Sequence, residues 1–187
     1  MENKKYLPLK IIHMLLIVTV FALSALSMSQ INANIDTLGP LAYIKVTLSL
    51  VALASAFGYL LFNSNKDASI YYKAYMYTML LLLILHTADN ISNNDYSFIS
   101  ALLMVLQLVL FIALTVGKDL GKRVSFILTG LLIACATILT VITFTSKVPS
   151  NLLLINISTY GTLIILSITT VVLVSEKYID KQSRGTK

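Results

Sequence analysis

Three side chains in this sequence have types and spacings that could form one polar site. The stretch "ILHTADN" places His86 and Asp89 three positions apart, about one helical turn, where an apolar segment becomes polar. Lys45 lies close to the start of the preceding apolar segment. Lys45 and Asp89 could bind a charged or zwitterionic solute while His86 donates or accepts a proton. Alternatively, all three residues lie at a membrane surface and face water and headgroups, with Asp89 helping to end its helix.

Uncharged polar residues inside the apolar segments are a second set of candidates. Gln107 is the most deeply placed strongly polar side chain, and Asn156 and Tyr160 lie in the last segment. If they point inwards, these three residues contact a solute beneath the first site; otherwise they only hydrogen-bond one helix to another. Helical spacing puts Gln107 on one face with Ser100, Met104, Phe111 and Thr115, and Asn156 and Tyr160 on another with Ser167 and Thr170.

Catalytic and metal-binding signatures are missing from the sequence. His86 and Asp89 supply only two ligands, so no metal site is predicted. Cys135 is the single cysteine, and it can make no disulfide within the chain. The sequence has no zinc-protease, nucleophile-elbow or phosphate-loop motif, and no Asp or Glu lies within a predicted membrane span. We therefore predict no enzymatic activity and no cofactor; a membrane-embedded enzyme of an unrecognised type is the third-ranked alternative.

Composition and segment length decide which elements must position these residues. The 187 residues are 57% hydrophobic and 12% charged, with a mean hydropathy of +0.85, which is too apolar for a water-soluble domain. A hydrocarbon core of about 30 Å needs about 20 helical residues, and open strands would leave backbone groups unpaired in lipid. The sequence therefore predicts one all-α domain over residues 1–187, a bundle of six transmembrane helices at approximately 9–28, 41–62, 71–88, 98–116, 124–145 and 152–174.

Basic residues predict how the six helices are threaded. With both termini cytoplasmic, 12 of the 14 Lys and Arg residues fall on the cytoplasmic side, and only Lys45 and Lys147 fall outside. No basic run is long enough for a nucleic-acid patch, so these charges are expected to interact with the lipid bilayer. The first segment is longer than the apolar part of a secretory signal, so we expect it to stay as a helix. These features predict a multi-pass protein of the cell (plasma) membrane, and the richness in Ile, Lys and Asn favours a bacterial source.

The second predicted helix carries a packing signal in "VALASAFG". Ala52 and Ala56 form one pair of small residues four positions apart, and Ala54 and Gly58 form another. Such pairs let neighbouring helix backbones approach closely in a membrane. We expect this helix to lie at the centre of the bundle; a dimer interface is the less favoured alternative.

The outline of six helices with both ends inside in 187 residues is similar to the substrate-binding subunits of energy-coupling-factor vitamin transporters. This resemblance implies a solute site and a patch of small residues on the first helix that contacts a partner subunit. Ala22, Ser24, Ala25 and Ser27 could make such a patch. We predict that the protein binds or translocates a small solute, alone or as a subunit of a larger transporter. The alternative is a non-transport accessory protein that binds another membrane protein.

Overall fold

The computed structural model describes residues 7–33, 35–62, 68–92, 98–116, 121–145 and 153–184. Apart from Gly121, these residues all lie in α-helices, and no strand occurs among them. The predicted all-α fold with six helices is therefore confirmed. The helices are α1 (Leu7–Ala33), α2 (Ile35–Phe62), α3 (Ala68–Ser92), α4 (Phe98–Val116), α5 (Lys122–Thr145) and α6 (Leu153–Arg184).

Each helix packs against the next one along the chain, and α6 closes the bundle against α1 while also contacting α2. His13 of α1 contacts Thr169 of α6, whereas Ser24 of α1 contacts Ser158. Because the residue numbers run in opposite directions, α1 and α6 are antiparallel. The N-terminal end of α1 and the C-terminal end of α6 therefore lie at the same end of the bundle, called the terminal end below.

The outward faces of the helices are apolar. A water-soluble protein rarely exposes so much contiguous apolar area, whereas lipid tails accommodate it. Five of the described helices, all except α3, are long and apolar enough to cross a membrane. The chain is therefore a multi-pass membrane protein. Large hydrophobic residues exposed on α1 and α4 include Ile11, Ile12, Leu15, Leu16 and Val18, and Phe98, Ile99, Leu102 and Val109.

The helix α3 differs from the others in composition. Its 25 residues make it about 38 Å long, which is enough to cross the hydrocarbon core. Its most apolar stretch is less apolar than those of the other five helices, because α3 carries Lys73, His86 and Asp89. Since α3 packs between α2 and α4, polar residues on its inner face can be enclosed by protein instead of lipid.

Helix ends match the predicted spans only where the helix stops at the edge of the apolar run. The helix α4 occupies Phe98–Val116 as predicted, whereas α1 and α6 continue beyond their predicted ends. The helix α2 begins at Ile35, but Gly39 interrupts it with φ 70° and ψ 170°. Pro40 follows this kink, where its missing N–H is tolerated. The helix thus resumes close to the predicted start.

The helix α2 packs against α1, α3 and α6, as expected of a helix near the centre of the bundle, but α6 is the most enclosed helix. No side chain described between residues 154 and 172 is exposed, whereas α2 exposes Tyr43, Ile44 and Val51. Hydroxyl groups allow α6 to be enclosed on all sides, because they donate hydrogen bonds to backbone carbonyls of the same helix. These bonds run from Thr162 to Ser158, from Ser167 to Leu163, from Thr169 to Ile165 and from Thr170 to Leu166.

Three of the four small residues predicted to pack α2 are buried. Ala52 and Ala56 have no exposed surface, and a Cβ added at Gly58 would lie 2.5 Å from Cδ1 of Tyr71. The close approach of α2 and α3 at this level therefore needs a glycine. Ala54 is exposed, which corrects its predicted packing role within the chain. The reason is geometric, since two residues turn a helix by roughly 200° and place Ala54 on the outer face.

The small residues of α1 are divided between two faces. Ser24 and Ser27 are fully buried against the bundle, and Ser158 donates a hydrogen bond of 2.7 Å to the Ser24 hydroxyl. Ala22 and Ala25 are exposed. The resemblance implied that these four residues form one patch that contacts a partner. That expectation is corrected, because the two serines face the bundle and Ser24 holds α1 against α6.

Candidate functional site

A polar cavity of about 50 Å³, called the polar pocket below, lies between α2, α3 and α6. It lies at the end of the bundle opposite the terminal end, because its α6 residues come from the first turns of that helix. The start of α2 and the last turns of α3 complete its wall. The lining residues are Ala42, Lys45, His86, Asp89, Ile155, Asn156, Thr159 and Tyr160.

Antiparallel packing of α2 and α3 places the two charged residues of the pocket together. Lys45 contacts Asp89 near one end of this helix pair, and Gly58 contacts Tyr71 near the other. The Lys45 ammonium donates a hydrogen bond to Oδ2 of Asp89 and forms an ion pair with it. The two side chains are 15% and 18% exposed. The pocket wall therefore presents a positive and a negative group side by side.

His86 and Tyr160 add two enclosed rings to the pocket. They are 3% and 5% exposed, and their ring centroids lie 6.4 Å apart with planes tilted by 40°. Thr143 of α5 lies within hydrogen-bonding reach of the Tyr160 hydroxyl. Both rings line the same cavity as the ion pair of Lys45 and Asp89. An imidazole and a phenol therefore stand beside the two charges.

One side of the pocket is apolar and is held by three helices. Ala42 of α2 and Ile155 of α6 line this side. They belong to a small apolar cluster with Ile31 of α1 and Val46 of α2, both of which are fully buried or nearly so. Packing of this cluster fixes the starts of α2 and α6 relative to each other, and thereby the positions of the polar lining residues.

The volume of the pocket limits what it can hold. A water molecule needs about 10–15 Å³ of such space, so about 50 Å³ corresponds to roughly three to five waters, or a solute of similar size. The lining offers an ammonium donor, a carboxylate acceptor, an amide, two hydroxyls and an imidazole. Among the described residues, no three His, Cys, Asp or Glu side chains lie together as a metal site would need. The arrangement suits hydrogen bonding to a small polar molecule.

The structure brings together five of the six residues predicted to bind a solute. Thr159 lines the pocket as well and was not predicted. The sequence held one signal for it, because Thr159 lies three residues after Asn156, about one helical turn, and therefore on the same helix face. That a solute binds to these residues stays a prediction. The five are Lys45, His86, Asp89, Asn156 and Tyr160.

Gln107 does not line the polar pocket, which corrects its predicted place beneath the first site. It lies on α4, which packs chiefly against α3 and α5, whereas the pocket is bounded by α2, α3 and α6. The inward orientation of its helix face is as expected, because Met104, Gln107 and Phe111 are fully buried or nearly so. Neither amide atom of Gln107 has a hydrogen-bond partner among the described residues.

A second group of buried polar residues lies towards the terminal end of the bundle. Nε2 of His13 lies 2.9 Å from the Thr169 hydroxyl. The Tyr75 hydroxyl donates a hydrogen bond of 2.7 Å to the Leu166 carbonyl and lies 2.7 Å from the Thr170 hydroxyl. These contacts join α1 and α3 to the central helix α6. Their polar groups are hydrogen-bonded to one another, which is the arrangement expected of groups that hold helices together.

Comparison with known proteins found no match to this chain among family models, curated proteins or solved structures.

Proposed function

We propose that this multi-pass membrane protein binds a small polar solute in the polar pocket. The observation that carries the proposal is the convergence of Lys45, His86 and Asp89 with Asn156 and Tyr160 around one cavity of about 50 Å³. Small-molecule sites combine a cavity with a few convergent polar groups in this way. Enclosed ionisable residues lose hydration, so their gathering at a cavity favours a functional role.

Packing below the pocket favours binding over conduction through an open pore. Tyr75, Met79, Leu82 and Leu83 of α3 are all buried, with at most 1% of their surface exposed. They belong to the main apolar core of the bundle. Translocation by this protein would therefore need a rearrangement of α3 or a partner subunit, and we propose a role as the solute-binding part of a transporter.

The distribution of basic residues favours the outer side of the membrane as the side on which the pocket opens. If the termini are cytoplasmic, as the Lys and Arg residues favour, the pocket opens on the outer side of a bacterial plasma membrane. There it would meet solutes before they enter the cell. Cysteine labelling of Ser29→Cys near the pocket end, with a reagent that cannot cross the membrane, tests this orientation in intact cells.

Thermal unfolding of the purified full chain tests solute binding. Glycine, acetate, ethylammonium and urea at millimolar concentration are the probes, and at least one should raise Tm, since a ligand at 100 times Kd stabilises by about 2.7 kcal/mol. Tyr160→Phe and Asn156→Leu should reduce this rise. Gln107→Met is the control outside the pocket and should keep it. No rise with any probe, or an equal rise in the two pocket variants, would contradict the proposal.

An accessory role is the second candidate, and the contacts at the terminal end favour it. His13 and Tyr75 use their polar groups to join helices, so intramembrane polarity in this bundle can serve packing alone. An accessory protein would copurify with a partner in stoichiometric amount and show no change of Tm with the four probes. The same measurements therefore separate the two functions.

A further inference from the structure

The charges of the polar pocket form a contact pair that remains accessible. The Lys45 ammonium and the Asp89 carboxylate contact each other directly, and each side chain is still 15–18% exposed. Both line the cavity instead of being sealed behind it. A ligand in the pocket can therefore lie close to both charges.

A ligand with a single charge gains little from such a pair. An anion beside Lys45 is attracted by the ammonium, but the Asp89 carboxylate, which lies only somewhat farther away, repels it, and a cation meets the reverse. The repulsion offsets part of the attraction, and the ligand also loses its hydration on entering the pocket. The pair thus disfavours simple anions and cations.

A zwitterion is affected differently because it can lie antiparallel to the pair. Its carboxylate then contacts Lys45 and its ammonium contacts Asp89, while the like charges are separated along the longer diagonals. An ammonium has three donors and a carboxylate accepts several hydrogen bonds, so Lys45 and Asp89 can bind the ligand and keep their mutual contact.

We infer that the polar pocket selects small zwitterions of the α-amino acid type, with glycine as the smallest member, over singly charged and neutral solutes. This inference rests on the proposed function of the pocket. Glycine has five heavy atoms, which is about the largest number of water-sized groups that a cavity of about 50 Å³ holds. His86 and Tyr160 line the same cavity and can hydrogen-bond to the ligand carboxylate.

Titration of Tm with each of the four probes at constant ionic strength tests the selectivity. Wild-type protein should bind glycine about tenfold or more tightly than acetate, ethylammonium or urea, the size expected for one charged hydrogen bond. Binding of glycine no tighter than urea or acetate would overturn the zwitterion inference and leave the proposed function standing. No binding of any probe would overturn both.

Single-charge variants give a second and sharper readout. Asp89→Asn leaves Lys45 as the only charge, so this variant should bind acetate about tenfold or more tightly than glycine. Lys45→Met leaves Asp89 and should favour ethylammonium in the same way. The exchanged pair, Lys45→Asp with Asp89→Lys, keeps both charges and should keep glycine binding. This double variant provides the test if a single variant fails to fold. Unchanged ligand preference in these variants would overturn the inference.

Discussion

The buried amide of Gln107 predicts a substitution that stabilises the fold, whereas most single substitutions destabilise it. Its side chain has no exposed surface, and neither amide atom has a hydrogen-bond partner among the described residues. Gln107→Met should therefore stabilise the bundle. Methionine is unbranched and adaptable and has nearly the same helix propensity as glutamine, so the substitution removes polarity with little change of shape.

The size of this effect follows from the burial of the amide. A buried amide without a hydrogen bond costs about 1–3 kcal/mol in protein mutational data. In a membrane protein the amide of the unfolded reference state stays in the membrane, where it is less fully hydrogen-bonded than in water, which places the expected gain near the lower limit. We expect Gln107→Met to raise the free energy of unfolding by about 1 kcal/mol, which corresponds to about 2–4 °C in Tm for a chain of this length.

Tyr75 provides the opposite case, because its buried hydroxyl is hydrogen-bonded to Leu166 and Thr170. Tyr75→Phe removes these bonds and keeps the ring, so it should lower the free energy of unfolding by about 1 kcal/mol. Tyr77 lies on the same helix and is 72% exposed, so Tyr77→Phe should change it little.

Thermal unfolding of the purified full chain in one detergent measures all three variants. The expected order of Tm is Gln107→Met above wild type and Tyr75→Phe below it, with Tyr77→Phe unchanged. A lower Tm for Gln107→Met would refute the reasoning, because the amide would then make a contact that stabilises the fold.

Two further predictions concern glycines and use the same assay. Gly39 has φ 70° and ψ 170° with open space around it, so Gly39→Ala should cost about 1–3 kcal/mol through backbone strain. Gly121 also has open space around it but no positive φ, so Gly121→Ala is the control and should cost little. Gly58→Ala should cost about 1–3 kcal/mol because the new Cβ meets the Tyr71 ring, and adding Tyr71→Ala should relieve that cost. Gly161→Ala is the control and should be neutral, because its Cβ would lie 3.7 Å from Val20. Equal losses in Gly39→Ala and Gly121→Ala, or no relief by Tyr71→Ala, would contradict these explanations.

Apolar run length predicted the helices well because the bilayer imposes one physical requirement on each. The helix α4 agrees with its prediction from Phe98 to Val116. Run length could not predict that α1 and α6 extend further, because helix beyond the hydrocarbon core needs no apolar residues. It also could not identify α6 as the most enclosed helix, because that enclosure depends on hydroxyls whose hydrogen bonds to the backbone do not appear in a hydropathy pattern.

The pocket residues were predictable because depth can be read from the sequence. Lys45, His86 and Asp89 lie near helix ends that a threading argument brings to one side of the membrane, and the structure places them around one cavity. Gln107 could not be excluded in this way, because depth does not reveal which neighbours a helix has. Its exclusion required the observation that α4 packs chiefly against α3 and α5.

The polar residues of the bundle differ in whether packing alone accounts for them. The hydrogen bonds of His13 and Tyr75 join helices, so their polarity has a structural use. Lys45 and Asp89 are each more than four-fifths enclosed, and enclosing two charges costs hydration that their mutual attraction only partly restores. An apolar pair of similar volume would join α2 and α3 at least as well. Packing therefore gives no reason for two charges beside a cavity, whereas the proposed recognition of a ligand with two charges does.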